Sequence, residues 1–170
     1  MTIDPSDFKQ GMRRLGASVC IITTRRADGA RNGLTATAVC SLSAEPPMLI
    51  ACLNRSSNSF AAVAEAGVFA VNVLSLQDAA VADQFAGTRP AEEKFRAGEW
   101  IEGVTGAPIL ATGLAAFDCE VERVVDAGTH GIFLGVVRHV NLGDPNRAPL
   151  LYAGGSYGGF SAELADLLAS

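Results

Sequence analysis

The residues best suited to chemistry in this chain begin with the turn Asn54-Arg55-Ser56-Ser57-Asn58-Ser59, where a guanidinium stands beside hydroxyls at the start of a helical pattern running from Ser56 to Ala66. The first N–H groups of a helix have no intrahelical acceptor and carry partial positive charge, so a phosphate is well held there. Arg55 can add a two-pronged hydrogen bond, where a lysine would act only as a point charge. A plain serine N-cap beside an exposed arginine would read the same way.

A second group lies on Asn32 to Ser41, NGLTATAVCS. On an extended strand Thr35 and Thr37 fall on one side and Ala36 and Ala38 on the other. Hydroxyl donors then flank a small-residue surface against which a planar ring can lie, although a solvent-facing threonine ladder shows the same alternation. Joined to the Arg55 turn, this strand suits an aromatic ligand with an anionic tail, and a flavin nucleotide has both parts. His130, in Gly128-Thr129-His130-Gly131, could orient such a ligand or merely cap a turn. Lys94 and Phe95, and near the C-terminus Tyr152 and Tyr157, are further candidate contacts, with packing as the commoner fate of the rings.

The elements that must position these residues follow from periodicity. Asp4 or Ser6 can cap a helix to about Leu15, with Phe8, Met12 and Leu15 on one face as a lid or edge. Ser18 to Thr24 and Leu34 to Ser41 read as strands of a hairpin around Ala27-Asp28-Gly29-Ala30. Met48 to Leu53 is an apolar run expected to be covered on both faces. Val68 to Leu74 reads as a strand, Gln77 to Phe85 as an amphipathic helix, and Gly87 to Thr112 as a long ordered excursion of the kind that covers a site. Leu114 to Val125 and Gly131 to Val140 are strands, and a last helix starts near Ser161. The glycine-dense Gly154 to Gly159 reads as a flexible tail segment or a turn. Five or six strands joined mostly by short turns predict a mainly β barrel with peripheral helices, in one domain over 1–170.

Composition narrows the function. The chain has 170 residues, 49% hydrophobic and 18% charged, with a net charge of −5. That suits one folded core and disfavours nucleic-acid binding, which calls for a basic stripe. No apolar stretch is long enough to span a bilayer and no signal peptide is visible, so a cytoplasmic location is expected. Cys20, Cys40, Cys52 and Cys119 lack Cys-x-x-Cys spacing and are expected to be buried structural thiols. His130 and His139 have no metal-ligand spacing with them, so no metal is expected. No Gly-x-Gly-x-x-Gly follows an early strand, which disfavours a dinucleotide fold.

Asn32-Gly33-Leu34-Thr35-Ala36-Thr37-Ala38, Pro46-Pro47-Met48, Asn54 to Ser59 and Gly128-Thr129-His130-Gly131-Ile132-Phe133-Leu134-Gly135 together resemble the flavin reductase-like, FMN-binding split-barrel family. Its best-known members are the small reductase components of two-component flavin monooxygenases. The resemblance covers Phe8 to Tyr157 and implies a six-stranded Greek-key split barrel, usually a homodimer with flavin near the interface. It implies ring and ribityl contacts at Thr35, Ala36, Thr37, Ala38 and Ser41, phosphate contacts at Asn54, Arg55, Ser56, Ser57 and Ser59, and His130 beside flavin and nicotinamide. Lys94, Phe95 and Tyr157 complete the candidate cofactor contacts. Thr129 stands where acidic residues are frequent in the family, and Phe60 where some members carry a polar residue or histidine.

The implied activity is NAD(P)H-dependent reduction of FMN or FAD, with reduced flavin supplied to a separate monooxygenase. Hydride transfer is chemistry of the two nucleotides, so no protein nucleophile is required. Two other readings stay open: a flavoprotein passing electrons to another acceptor such as a cobalt-corrin intermediate, and a non-catalytic flavin- or haem-binding module. A purely structural interaction domain would leave the strand and the phosphate turn without use. The sequence does not choose between FMN and FAD or between NADH and NADPH.

Overall fold

The computed structural model describes residues 2–160, and the helix expected from Ser161 lies outside the described residues. Helix α1 (Pro5–Met12) is capped by Asp4, whose carboxylate accepts from the Ser6 amide at 2.8 Å. It buries no residue, and Phe8, Met12 and Leu15 are all exposed, so it is not a lid over a site of its own chain.

The main sheet holds seven antiparallel strands: β2 (Cys20–Arg25), β3 (Arg31–Ala36), β4 (Val39–Ala44), β5 (Pro47–Asn54), β6 (Val68–Val73), β9 (Ala115–Ala127) and β10 (His130–Leu142). Their spatial order is β3-β2-β6-β9-β10-β5-β4. The edge strands β3 and β4 are consecutive in sequence and joined only by Thr37 and Ala38, a link that spans at most about 10 Å. The sheet must therefore curl until its two edges meet, which makes it a barrel split at Thr37–Ala38. This corrects the reading of Leu34 to Ser41 as one strand: the run breaks at Thr37–Ala38 and serves both edges.

One face of each strand fills the barrel. Cys20, Ile22, Leu49, Ala51, Leu53, Phe69, Val71, Cys119 and Phe133 form the interior with Val63 of helix α2 (Asn58–Ala66). Along β5 burial alternates: Leu49, Ala51 and Leu53 point inward while Met48, Ile50 and Cys52 stay half-exposed. Covering of β5 on both faces is thus not found, because the helices lie elsewhere. Phe133 sits edge-on between Phe60 and Phe69, at centroid distances of 5.2 and 6.4 Å. Gly131 leaves room for Phe60, since a Cβ there would overlap its ring.

A second layer covers the outer side of β2. Val19, Ile21, Leu74 and Leu150 pack against Val81, Ala82 and Phe85 of α3 (Ala79–Phe85) and against Phe95, which follows α4 (Ala91–Lys94). Gly33 permits this approach: a Cβ there would lie 2.8 Å from both the Ile22 carbonyl oxygen and the Phe85 ring. The start of α3 is pinned by Asp78, which accepts from the Ser75 amide at 2.9 Å, the Ser75 hydroxyl at 2.5 Å and the Thr112 hydroxyl at 2.9 Å. Arg147 pairs with the same carboxylate at 3.5 Å.

The excursion after Gly87 is ordered, as expected, and carries α4, β7 (Trp100–Glu102) and β8 (Pro108–Leu110). Buried Asn72 ties β8 to the barrel, accepting from the Leu110 amide at 2.8 Å and donating to the Ile21 carbonyl at 3.0 Å. Strand β1 (Ala17–Ser18) pairs with β11 (Leu151–Ala153), which pairs with β12 (Ser156–Gly158). Gly154 and Gly155 take positive φ at the tip of this hairpin, so the glycine-dense segment is a turn and a strand rather than a flexible tail. Cys20 and Cys119 are buried, and burial pushes both thiols up to about 12. Cys40 is exposed and Cys52 half-buried, so the expectation of buried thiols fails for Cys40, which faces away from the core on β4. Among the described residues no helix is long and apolar enough to cross a membrane.

Candidate functional site

Two adjoining cavities open where the barrel edge meets α2, α3 and the segment Gly87–Pro90. The larger, about 610 Å³, is lined by Val19, Leu34, Thr35, Ala36, Thr37, Asn54, Phe85, Ala86, Gly87, Thr88, Tyr152 and Tyr157. The smaller, about 360 Å³, is lined by Asn32, Leu34, Ser56 to Ser59, Gly87 to Ala91 and Lys94. Leu34, Gly87 and Thr88 belong to both. One cavity therefore has apolar and aromatic walls, the other hydroxyls and cations, and they share a wall.

The larger cavity gathers most of the small-residue strand. Thr35 lines it, but its hydroxyl donates to the Ala82 carbonyl of α3 at 2.7 Å, so its oxygen is already committed to fixing that helix. Ala36 and exposed Thr37 form the lip where the strand leaves the sheet. Ala38 does not line it; its carbonyl accepts from the Cys52 amide at 2.9 Å and ties the link to β5. Ser41 lies in a different, apolar hollow of about 360 Å³ with Val39, Leu49, Val71 and Phe117, because the break at Thr37–Ala38 carries β4 to the other sheet edge. Tyr152 and Tyr157, partners across β11 and β12, meet edge-on at 5.7 Å and form the far wall. Burial, then the neighbouring Asp83 carboxylate, raises the Tyr157 pKa.

The smaller cavity sits at the N-terminus of α2. Ser57, rather than Ser56, is its N-cap: its hydroxyl accepts from the Phe60 amide at 3.1 Å. Ser56 turns back to Asn54, donating through both its amide (2.9 Å) and hydroxyl (2.8 Å) to the Asn54 side-chain oxygen. Ser59 is buried and donates to the Asn32 side-chain oxygen at 2.6 Å, which fastens the helix start to β3. Ser57, Asn58 and Ser59 thus bring the first turn of α2 to the wall of a fixed, polar hollow, and a helix N-terminus is a place suited to a phosphate.

Arg55 is not among the residues lining either cavity. Its guanidinium pairs with Asp126 at 2.5 Å, and its amide donates to the Thr129 carbonyl at 3.0 Å, at the exit of β5 beside the β9–β10 turn. The cations at the smaller cavity are Lys94 and Arg89. Arg89 donates to the Asp83 carbonyl at 2.8 Å. Phe95 is buried behind the larger cavity, packing edge-on against Phe85 at 5.0 Å and Trp100 at 4.9 Å, with the Arg31 guanidinium 4.5 Å from its centroid. It supports Phe85, which lines the cavity. His130 opens β10 directly opposite Asn54, one strand from the larger cavity, with its Nδ1 2.9 Å from the Thr129 hydroxyl.

The segment Gly87-Thr88-Arg89-Pro90 opens the excursion expected to cover a site, and it contributes to both cavities, although none of its four residues was named as a contact. A cation between a glycine and a proline is a turn signal with a charge attached, and that pattern could have singled it out. Phe85 and Ala86 carried no comparable signal, because they enter only through tertiary contacts.

A family model described as a flavin reductase like domain matches residues 12–161, so the chain belongs to the flavin reductase-like family. It is 46% identical over 127 residues to the FMN reductase (NADH) RutF of Variovorax paradoxus (strain S110), covering 75% of this chain and 70% of that one. Among solved structures, the NADH:FAD oxidoreductase SgcE6 of Streptomyces globisporus C-1027 superposes with a TM-score of 0.86 at 27% identity, covering 95% of this chain and 98% of that one. BorF, the flavin reductase component of a bacterial two-component tryptophan halogenase, superposes with a TM-score of 0.85 at 29% identity, covering 92% and 98%.

Proposed function

We propose that the chain is an NADH-dependent flavin reductase that binds FMN across the two adjoining cavities and releases it reduced to a partner flavin-dependent enzyme. The observation that carries this reading is the shared wall: a groove for a planar ring and a cationic, amide-lined hollow for a phosphate are joined at Leu34, Gly87 and Thr88. The residues present fit the nucleotide on chemical grounds. Leu34, Ala36, Phe85 and the tyrosine pair offer apolar surface to a ring, while the α2 amides, Lys94 and Arg89 offer donors to a phosphate. Bound flavin supplies the redox chemistry: two electrons and a proton arrive as hydride from NADH, and a second proton comes from water.

The protein contributes position and exclusion of water. Phe85, Tyr152 and Tyr157 wall one side of the ring groove, and exposed Thr37, Gly87 and Thr88 form a lip open to solvent. An open lip suits entry of the dinucleotide and departure of the product. In this reading His130, which lies opposite Asn54 in the register, serves the nicotinamide rather than the phosphate.

The protein also works as a homodimer in this reading. The outward-facing residues of β5 and β10 pair as Cys52 with Ile132, Ile50 with Leu134 and Met48 with Val136, an apolar strip on the outside of the barrel. Such strips mark association surfaces. Four free cysteines suit a cytoplasmic setting. Sedimentation velocity followed at the flavin absorbance tests binding and assembly together: FMN is expected to co-sediment with a species of about twice 17.6 kDa. Flavin sedimenting free of protein would remove the site, and flavin on a 17.6 kDa species would remove the dimer.

A further inference from the structure

Arg55 lines neither cavity, yet it stands beside the site. Asn54, the residue before it, lines the ring groove, and the Arg55 amide donates to the Thr129 carbonyl at 3.0 Å. Thr129 leads into His130, which lies opposite Asn54. The guanidinium pairs with Asp126, a residue of β9 opposite Gly131, so the side chain reaches from the exit of β5 across the start of β10. Its charge therefore lies at the turn that carries His130, and outside the hollow at the start of α2.

The ion pair that occupies Arg55 is loose. Its two side chains are 46% and 71% exposed, and exposed pairs of this kind are weak and screened by salt. Arginine matches phosphate oxygens with two parallel donors, so an anion of higher charge displaces a single exposed carboxylate from it. The phosphate of FMN is already served within the smaller cavity. The reaction brings a second anion, because NADH carries a diphosphate between its nicotinamide and adenosine halves. With the nicotinamide at His130, that diphosphate meets the cation at the same turn. We infer that Arg55 binds the diphosphate of the hydride donor and is held in reserve by Asp126 until the dinucleotide arrives. Asp126 then acts in the opposite sense, since it competes for the guanidinium and repels the incoming anion. This assignment rests on the reductase reading above and names the group that recognises the donor.

Steady-state reduction of FMN, measured anaerobically at saturating flavin, gives KM and kcat for NADH. Arg55→Ala is expected to raise the KM for NADH roughly 10-fold, the loss of a charge-assisted hydrogen bond, with kcat and the dissociation constant of FMN changed less than about two-fold. Asp126→Asn is expected to lower that KM by about two- to five-fold, as the guanidinium is freed. Opposite signs are the signature of donor binding, because either substitution breaks a merely structural ion pair and the two variants would then move together. Dihydronicotinamide riboside, a hydride donor without the diphosphate, should serve wild type and both variants equally, to within about two-fold. An unchanged KM for NADH in Arg55→Ala would overturn the assignment, as would shifts of the same sign in the two variants or an equal loss with the riboside. Weaker binding of FMN or FAD in Arg55→Ala, with the KM for NADH unchanged, would give this cation to the flavin instead. Wild-type protein that reduces no FMN with NADH would contradict the reductase reading itself, and the assignment with it.

Discussion

Phe133→Ala is expected to lower the free energy of unfolding by about 3–5 kcal/mol, the usual cost of deleting a fully buried aromatic side chain. Phe133 is 0% exposed and stands between Phe69 of β6 and Phe60 of α2. Its loss opens a cavity under the first turn of α2, beside the Phe60 ring that Gly131 admits. The N-terminus of α2 carries Ser57 and the amides of the phosphate hollow, so the damage reaches the site through packing alone. Urea denaturation is expected to show the loss in the midpoint with little change in slope, and FMN affinity should fall further than riboflavin affinity. A stability loss below about 1 kcal/mol would mean that the barrel interior relaxes around the gap and that α2 is not held by this aromatic row.

Asp78→Ala is the second large effect, expected at about 3 kcal/mol, because it strips the acceptor from a buried polar cluster. The Asp78 side chain is 5% exposed, and it serves the Ser75 amide and hydroxyl, the Thr112 hydroxyl and Arg147 at once. Truncation leaves those donors unpaired, and the Arg147 guanidinium, 21% exposed, without its counter-charge. It also frees the start of α3, the helix whose Ala82 carbonyl accepts from Thr35 and whose Phe85 lines the ring groove. Thermal unfolding together with the KM for FMN reports both consequences. The variant is expected to melt lower and to require more FMN, while Asp78→Asn, which retains one acceptor, should fall between it and wild type. An unchanged KM in a destabilised Asp78→Ala would separate α3 anchoring from the site.

The sequence patterns that were legible are those with local causes. The α1 cap at Asp4, the strands carried by β-branched runs and the two site patches all rest on residues within a few positions of one another. The break at Thr37–Ala38 was not legible, because neither residue is a breaker; it is imposed by closing seven strands into a barrel. Arg55 shows the same limit. A guanidinium beside a serine-rich turn reads as a phosphate ligand, yet here it pairs with Asp126, a residue brought beside it by the β5–β10–β9 register. Lys94, named among the candidate contacts, does line a cavity, whereas its contact with Gly33, 61 positions away in the chain, is set by tertiary packing. Phe95, read as a candidate contact with packing as the other reading, packs behind Phe85.

The most direct test of a flavin reductase is turnover of flavin in excess over protein. NADH is mixed anaerobically with purified protein and a large molar excess of FMN, and bleaching of the flavin absorbance is followed. The account predicts many equivalents of FMN reduced per protein chain, at a rate proportional to protein concentration. Bleaching that stops at one equivalent would show an electron carrier that keeps its flavin, and no bleaching at all would show a binding module; either result would contradict the reductase assignment.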